Sequence, residues 1–399
     1  MQKIYKIKGK IQNYAWGGSE FIPKLLNENK VGGLYAEYWL GAHKSAPSVL
    51  DTSTGTIFLD EFLQDNTEIK LGRRVSRKFG RLPFLFKVLD VKEMLSIQVH
   101  PTKIEAEKGF QRENEAGIPL TASNRNYKDD NHKPEIMVAL GEFWLLHGFL
   151  EEHKLNSILE EIPEFNNLIS VFKEKGYHGL YQKVMEESQE KTNKVLQPLV
   201  NRILPLYKAD KLDKSSPDYW AAKAVSSSTE SNLDKGIYSI YFFNIVKANK
   251  GEAIFQDAGI PHAYLEGQNM ELMANSDNVL RGGLTPKHID VPELLKHIKF
   301  EETNPNILKG ELQKDSIERI YKTPAPDFQL SKIELKQNQI YAYNATSPEI
   351  IFTLKGSVEI ENNNKTLKLD KGESAFVVAD SNYTITANTS AVLFKASVP

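Results

Sequence analysis

The chain changes its period of apolar and polar positions several times, and each change marks an element or a boundary. From 82 to 90 (Leu82-Pro-Phe-Leu-Phe-Lys87-Val-Leu-Asp90) almost every position is apolar, the pattern of a strand buried on both faces. Lys87 interrupts it. An ammonium group is not buried without a partner, so Lys87 must reach water at a sheet edge or face a polar cavity. Residues 94–100 then alternate: a strand there projects Ser96, Gln98 and His100 from one face and Leu95, Ile97 and Val99 from the other. The cavity open to Lys87 is then the one faced by Gln98 and His100. Residues 102–130 are polar and predict a helix followed by a loop over this region. Lys133 and Glu135, two apart at the start of an apolar run, share one face of an interior strand.

The period lengthens after residue 150. Leu155, Ile158, Leu159 and Ile162 fall at helical spacing, which continues through Leu180, Val184, Val195, Leu199 and Ile203. Residues 151–228 are therefore expected to form a helical insertion, closed by a loop-rich return over 211–228. Strand text resumes with Ile237-Tyr-Ser-Ile-Tyr-Phe-Phe-Asn-Ile-Val246. The phrase Lys250-Gly251-Glu252, ten residues before His262, recurs as Lys371-Gly372-Glu373, and the alignment puts Tyr383 where His262 stands. The fold expected is mainly β, with two related barrel units, the second a jelly roll that has lost its ligand. Turns at Gly356, Gly372 and Asn362-Asn363-Asn364 fit it.

At 399 residues the chain is too long for one core and suggests two or three domains. Fifty basic against fifty-two acidic residues leave a net charge of −2, so no single-sign field recommends nucleic acid or an acidic membrane as partner. The absence of cysteine rules out disulfides and thiolate metal sites, which leaves any metal to His, Glu, Asp, Gln and water. The opening residues lack the apolar core of a signal peptide, and a cytoplasmic protein is expected.

Two residues distant in the chain, Glu135 and His262, can complete a metal site with Gln98 and His100. Two imidazoles, a carboxylate and an amide oxygen suit a borderline divalent cation, zinc first, and leave room for water or a substrate oxygen. His43 sits in a polar loop where binding and structural roles are both open. Carboxylates at Glu271 and Asp277, with Arg281 and Lys287 in Gly-flanked loop text, suit recognition of a phosphorylated polyol. Asp290, with Pro292 and Glu293 behind it, reads as the start of a short helix.

Taken together, Gln12-Asn-Tyr-Ala-Trp-Gly17, Tyr35-Ala-Glu-Tyr-Trp-Leu-Gly41, Leu82-Pro-Phe-Leu-Phe-Lys-Val-Leu89, Leu95-Ser-Ile-Gln-Val-His-Pro101, His132-Lys-Pro-Glu135, Pro261-His-Ala-Tyr-Leu-Glu-Gly267 and Ser276-Asp-Asn-Val-Leu-Arg-Gly-Gly-Leu-Thr-Pro-Lys287 resemble type I phosphomannose isomerase, a zinc-dependent cupin enzyme. The resemblance runs in order from about residue 10 to 295. It implies one zinc per chain on Gln98, His100, Glu135 and His262, and interconversion of mannose 6-phosphate and fructose 6-phosphate. It also implies a catalytic cupin over 1–150 and 229–315, a helical domain over 151–228 inserted into it, and a degenerate cupin over 316–399. Val99, Ala42-His43-Lys44 and Leu146-His147-Gly148-Phe149 depart from the usual family words. Val99 should be neutral, since it points away from the metal.

Proton transfer between C1 and C2 of an open-chain sugar passes through an enediol, which needs a base and a holder of oxyanion charge. Lys133, Glu271 and His132 are the candidate bases, Lys133 through a pKa lowered by desolvation beside zinc. Arg281 is expected to stabilise the enediolate, and Glu271 and Asp277 to position hydroxyls or assist ring opening. Lys87, Ser96, His43 and Lys287 are candidate contacts to a hexose 6-phosphate. The chain is expected to be a monomer or weak homodimer. Two rivals remain: a non-catalytic sugar-phosphate-binding cupin, and an iron(II) cupin oxygenase, which Gln98 and the charged cluster disfavour.

Overall fold

A computed structural model describes residues 2–28, 32–228, 230–363 and 365–399. The protein is mainly β, built from three antiparallel sheets of nine, ten and four strands, with helices gathered largely between residues 152 and 242. The ten-stranded sheet is organised on one long strand, His262–Ala274, which pairs with Phe84–Val91 on one side and Glu135–Ala139 on the other. All eight residues of Phe84–Val91 are buried, as its continuous apolar run predicts. Its apolar side chains contribute about 1.5–3 kcal/mol each through burial.

The nine-stranded sheet combines the two ends of the chain. Strand Ile4–Lys8 lies between Ser374–Val377 and Val49–Thr52, so this sheet takes strands from both sides of the boundary expected near residue 316. A large apolar core, containing Tyr5, Tyr38, Phe86, Ile136, Phe352, Phe376 and Phe394, fills the space between the two large sheets.

The helical region buries its apolar face against another part of the ten-stranded sheet. Leu155, Leu159, Leu180, Val184, Leu196, Leu199 and Ile203 pack with Phe149, Leu265, Ile97 and Val99. Ile97 and Val99 thus point away from Gln98 and His100, as their alternation requires. Helix Lys103–Glu115 begins at Thr102, whose hydroxyl accepts from Glu105 N. Helix Val291–His297 begins at Asp290, whose carboxylate accepts from Glu293 N.

Three sequence expectations are corrected. Residues 94–100 form a regular strand only at Gln98–Val99; the chain before it is extended, tied by Leu95 N to Tyr264 O and by Ile97 N to Gly283 O. Residues 211–228 are not all loop, because Pro217–Ser227 is a helix capped by Ser216 and buries Trp220, Ala221 and Ala222. The aromatic run after 236 begins as a helix, Gly236–Phe242, and becomes strand only at Phe243–Ala248. Every residue of that helix is buried, so tertiary packing overrides the β preference of its Ile, Tyr and Phe. Asn364, the last residue of the expected Asn turn, lies outside the described residues. No helix among the described residues is long and apolar enough to cross a membrane.

Candidate active site and metal centre

Four segments converge where strand His262–Ala274 begins. His262 pairs in register with Gln98, while Met273 on the same strand pairs with Glu135 and Glu271 with Lys87. The backbone fixes both imidazoles. His100 Nδ1 lies 2.9 Å from Asn278 O and His262 Nδ1 lies 2.9 Å from Ile260 O. Carbonyl oxygens only accept, so each Nδ1 carries the proton and each Nε2 presents a lone pair. Both lone pairs face Glu135: His100 Nε2 is 3.5 Å from Oε1, and His262 Nε2 is 3.6 Å from Oε2. His100 Nε2 is buried with no hydrogen-bond partner among the described residues. Such an orphaned acceptor is costly unless something fills the gap. The ligand atoms of His100, Glu135 and His262 lie within 4.8 Å of one another, a spacing suited to a metal ion.

The electrostatics favour the ligand forms. Burial, reinforced by the Lys133 ammonium, pushes His100 down to about 4, so its imidazole is neutral. Burial alone would raise Glu135, but Lys133, 3.1 Å away, and His100 hold its carboxyl well below the usual range. Lys133 and Glu135 thus share one face, as their spacing requires, and both are buried.

Beside this trio opens a cavity of about 890 Å³, lined by Lys87, Ser96, Gln98, Lys133, Asp277, Arg281 and Lys287 together with Tyr14, Trp16, Glu37 and Trp39. Lys87 lies in a buried ion-pair network, 3.0 Å from Glu271 and 3.4 Å from Glu37. Burial would lower its pKa, but Glu271 and then Glu37 raise it and keep the ammonium charged. Burial pushes Glu271 up. Asp277 lies 3.2 Å from His43 Nε2. Ser45 N donates to His43 Nδ1 at 3.3 Å, which leaves the ring proton on Nε2 to be donated to Asp277. Burial would raise Asp277, but His43, together with Lys133 and Lys87, lowers it overall. Arg281 and Lys287 make no hydrogen bond or ion pair through their side chains among the described residues. Burial lowers both, Lys287 with help from Arg281.

A family profile described as Phosphomannose isomerase type I, catalytic domain, matches residues 4–152. Mannose-6-phosphate isomerase of Escherichia coli K12 is 37% identical over 386 residues, covering 94% of this chain and 95% of its own. The chain belongs to the type I phosphomannose isomerases. The human mannose-6-phosphate isomerase is 32% identical over 389 residues, with 89% of this chain and 88% of its own covered. Among solved structures, a mutant of phosphomannose isomerase from Salmonella typhimurium aligns with a TM-score of 0.91 at 34% identity, both chains covered in full. Mannose 6-phosphate isomerase from the same organism, bound to substrate (f6p) and a zinc atom, aligns with a TM-score of 0.89 at 33% identity, again over both full chains.

Against this phosphomannose isomerase frame, the expected site residues fall into two groups. Lys87, Ser96, Gln98, Lys133, Asp277, Arg281 and Lys287 share the cavity wall, and His100, Glu135 and His262 form the trio behind it. His43 and Glu271 stand one contact back, behind Asp277 and Lys87. His132 is elsewhere: its Nε2 lies 2.8 Å from Asp327 Oδ2, and it does not line the cavity. Sequence reasoning missed Glu37 and Trp39, whose indole donates to the Glu37 carboxylate. A carboxylate in the fully buried strand Glu37–Gly41 carries the same signal as Lys87 in its own strand.

Proposed function

We propose that the protein interconverts mannose 6-phosphate and fructose 6-phosphate through an enediol, with one zinc held by Gln98, His100, Glu135 and His262. The observation that carries this reading is the pair of Nε2 lone pairs facing Glu135 beside a cavity that holds Lys133 and the unpartnered Arg281. A zinc ion there supplies Lewis-acid polarisation of the sugar oxygens. Among Lys133, Glu271 and His132, we assign the proton transfer to Lys133. It lines the cavity while pairing with Glu135, whereas neither Glu271 nor His132 lines it. Arg281 holds the oxygen that gains charge as the C2 proton leaves, through a guanidinium that is charged at any working pH. Lys287 and Ser96 grip the phosphate end. Asp277, oriented by His43, and Glu271, acting through Lys87, position hydroxyls for ring opening.

The same reading groups 1–150 with 229–315 as a catalytic cupin, 151–228 as its helical insertion and 316–399 as a second, metal-free cupin. It places the enzyme in the cytoplasm as a monomer or weak homodimer. A coupled assay for fructose 6-phosphate formation, with metal content measured on the same sample, tests the central claim. Stoichiometric zinc without isomerisation would leave a sugar-phosphate binder instead.

A further inference from the structure

The loop that carries Arg281 and Lys287 is held from two sides. On one side Gly282 N donates to Ile97 O at 2.9 Å and Ile97 N to Gly283 O at 3.0 Å, which ties the loop to the segment bearing Gln98. On the other stands Asp234, two residues before helix Gly236–Phe242. Its Oδ1 accepts from Leu284 N at 2.8 Å and from Gly236 N at 2.6 Å, and its Oδ2 accepts from Thr285 N at 3.0 Å. One carboxylate therefore binds the loop and the start of helix Gly236–Phe242 together. The contact is close. A Cβ on Gly283 would meet Gly236 Cα at 2.5 Å, and one on Gly236 would meet Leu284 N at 2.6 Å. Leu284 is held at φ +56°, a left-handed conformation that a leucine keeps only when its surroundings impose it.

Resting on the proposed roles of Arg281 and Lys287, we propose that Asp234 is a positioning residue for the isomerisation: its carboxylate sets the loop so that the two cations meet one hexose phosphate. The clamp spans Gly282 to Thr285, with Arg281 just before it and Lys287 two residues after it. Neither cation has a side-chain partner of its own among the described residues, so the backbone between them is what fixes their separation. Asp234, in the turn that leads into helix Gly236–Phe242, thus acts on the reaction without giving it a reacting group.

Asp234→Asn is the direct test. The amide keeps the shape but has a single acceptor oxygen, and its NH2 confronts a backbone N–H, so at least one of the three bonds fails. We expect kcat/KM to fall about ten- to a hundredfold, the range for misplacing a substrate-holding group, with zinc content unchanged. The inhibition constant of inorganic phosphate should rise in parallel, which loss of fold stability alone would not produce. Gly283→Ala leaves the carboxylate in the chain but displaces the same loop, its Cβ meeting Gly236 Cα at 2.5 Å and Asp234 Oδ1 at 2.9 Å, and should give the same two shifts; it decides the matter if Asp234→Asn does not fold. Normal kinetics and normal phosphate inhibition in a folded variant, whatever its melting temperature, would overturn the proposal. Arg281→Ala in the same assay separates the two levels. If it is silent, the reading of the site falls and this inference with it; if it is impaired while Asp234→Asn is silent, only the inference falls.

Discussion

Strand by strand, the metal centre has a counterpart in the C-terminal part of the chain. Glu135 pairs with Gln256 as Glu349 pairs with Val377, and both partners follow a Lys-Gly-Glu turn by the same interval. The turns themselves match: Gly251 and Gly372 have φ of 85° and 86°, and the Glu252 and Glu373 carboxylates accept from Asn249 N and Asp370 N. Lys87 faces Glu271 across one ladder, and Ser331 faces Lys395 across the corresponding one. Two residues further along, Glu37 opposes Leu89 and Glu318 opposes Ile333. The frame is shared, but its contents differ.

In the first set, Glu135 faces the Nε2 atoms of two imidazoles whose Nδ1 atoms are held by backbone carbonyls. In the second, Tyr383 donates to Glu349 at 2.7 Å, and Lys395 Nζ lies 3.0 Å from Glu318 and 3.8 Å from Glu349. That ammonium is fully buried and sits 3.2 Å from the centroid of the Tyr343 ring. Burial would lower its pKa, but Glu349 and Glu318 raise it. In the first frame Glu135 has Lys133 beside it and still faces two imidazole nitrogens, whereas the Lys395 ammonium closes the second on Glu318 and Glu349. Buried carboxylates on these strands require positive charge, and the nitrogens left facing them decide whether a metal can add to it.

The comparison breaks first at His262. His262→Ala should lose zinc by elemental analysis and reduce turnover to background, with an unchanged far-UV spectrum; a variant that keeps stoichiometric zinc removes His262 from the shell. Arg281→Ala should keep its metal and lower kcat by roughly two to three orders of magnitude with a smaller change in KM. An unchanged kcat with a large rise in KM would mean that Arg281 only holds the phosphate. Lys395→Met leaves Glu318 and Glu349 buried without a counter-charge and should cost about 3–5 kcal/mol in denaturant unfolding. Its zinc content and kcat, measured where it is folded, should be normal, and a loss of zinc would show that the two frames are coupled. Tyr383→Phe should have the smallest effect, about 1–3 kcal/mol of stability for the lost bond to Glu349, with metal content still one per chain.

Much of this site was legible in the sequence, because its residues stand in unusual company. A lysine within Phe84–Val91, polar residues alternating with Leu95, Ile97 and Val99, and Lys133 with Glu135 ahead of an apolar run all announce a polar cavity inside a β fold. The recurrence of Lys-Gly-Glu exposed the shared frame, since a left-handed glycine before a short strand leaves a compact local word. Partners were harder to see. Nothing near Lys87 names Glu271 or Glu37, and nothing near His132 names Asp327, because these pairs are made by sheet register over long separations. Helix Gly236–Phe242 was read as strand for a related reason: its residues favour β structure, and only burial on all sides holds them helical. Asp234 gave no signal, since an aspartate after a polar stretch looks like an ordinary turn residue until the loop it binds is in place.

The position of Ile4–Lys8 between Ser374–Val377 and Val49–Thr52 has a consequence for biosynthesis. Strand Ile4–Lys8 is synthesised about 370 residues ahead of Ser374–Val377, one of its two neighbours. At translation rates of about 5–20 residues per second, it waits roughly 20–75 s with one edge unpaired. Until then the nascent chain presents an open β edge of the kind that pairs with other chains. Lys3, Lys6, Lys8 and Lys10, spaced along that segment, are charges of the type that keep such an edge from finding the wrong partner while the last strands are still being made.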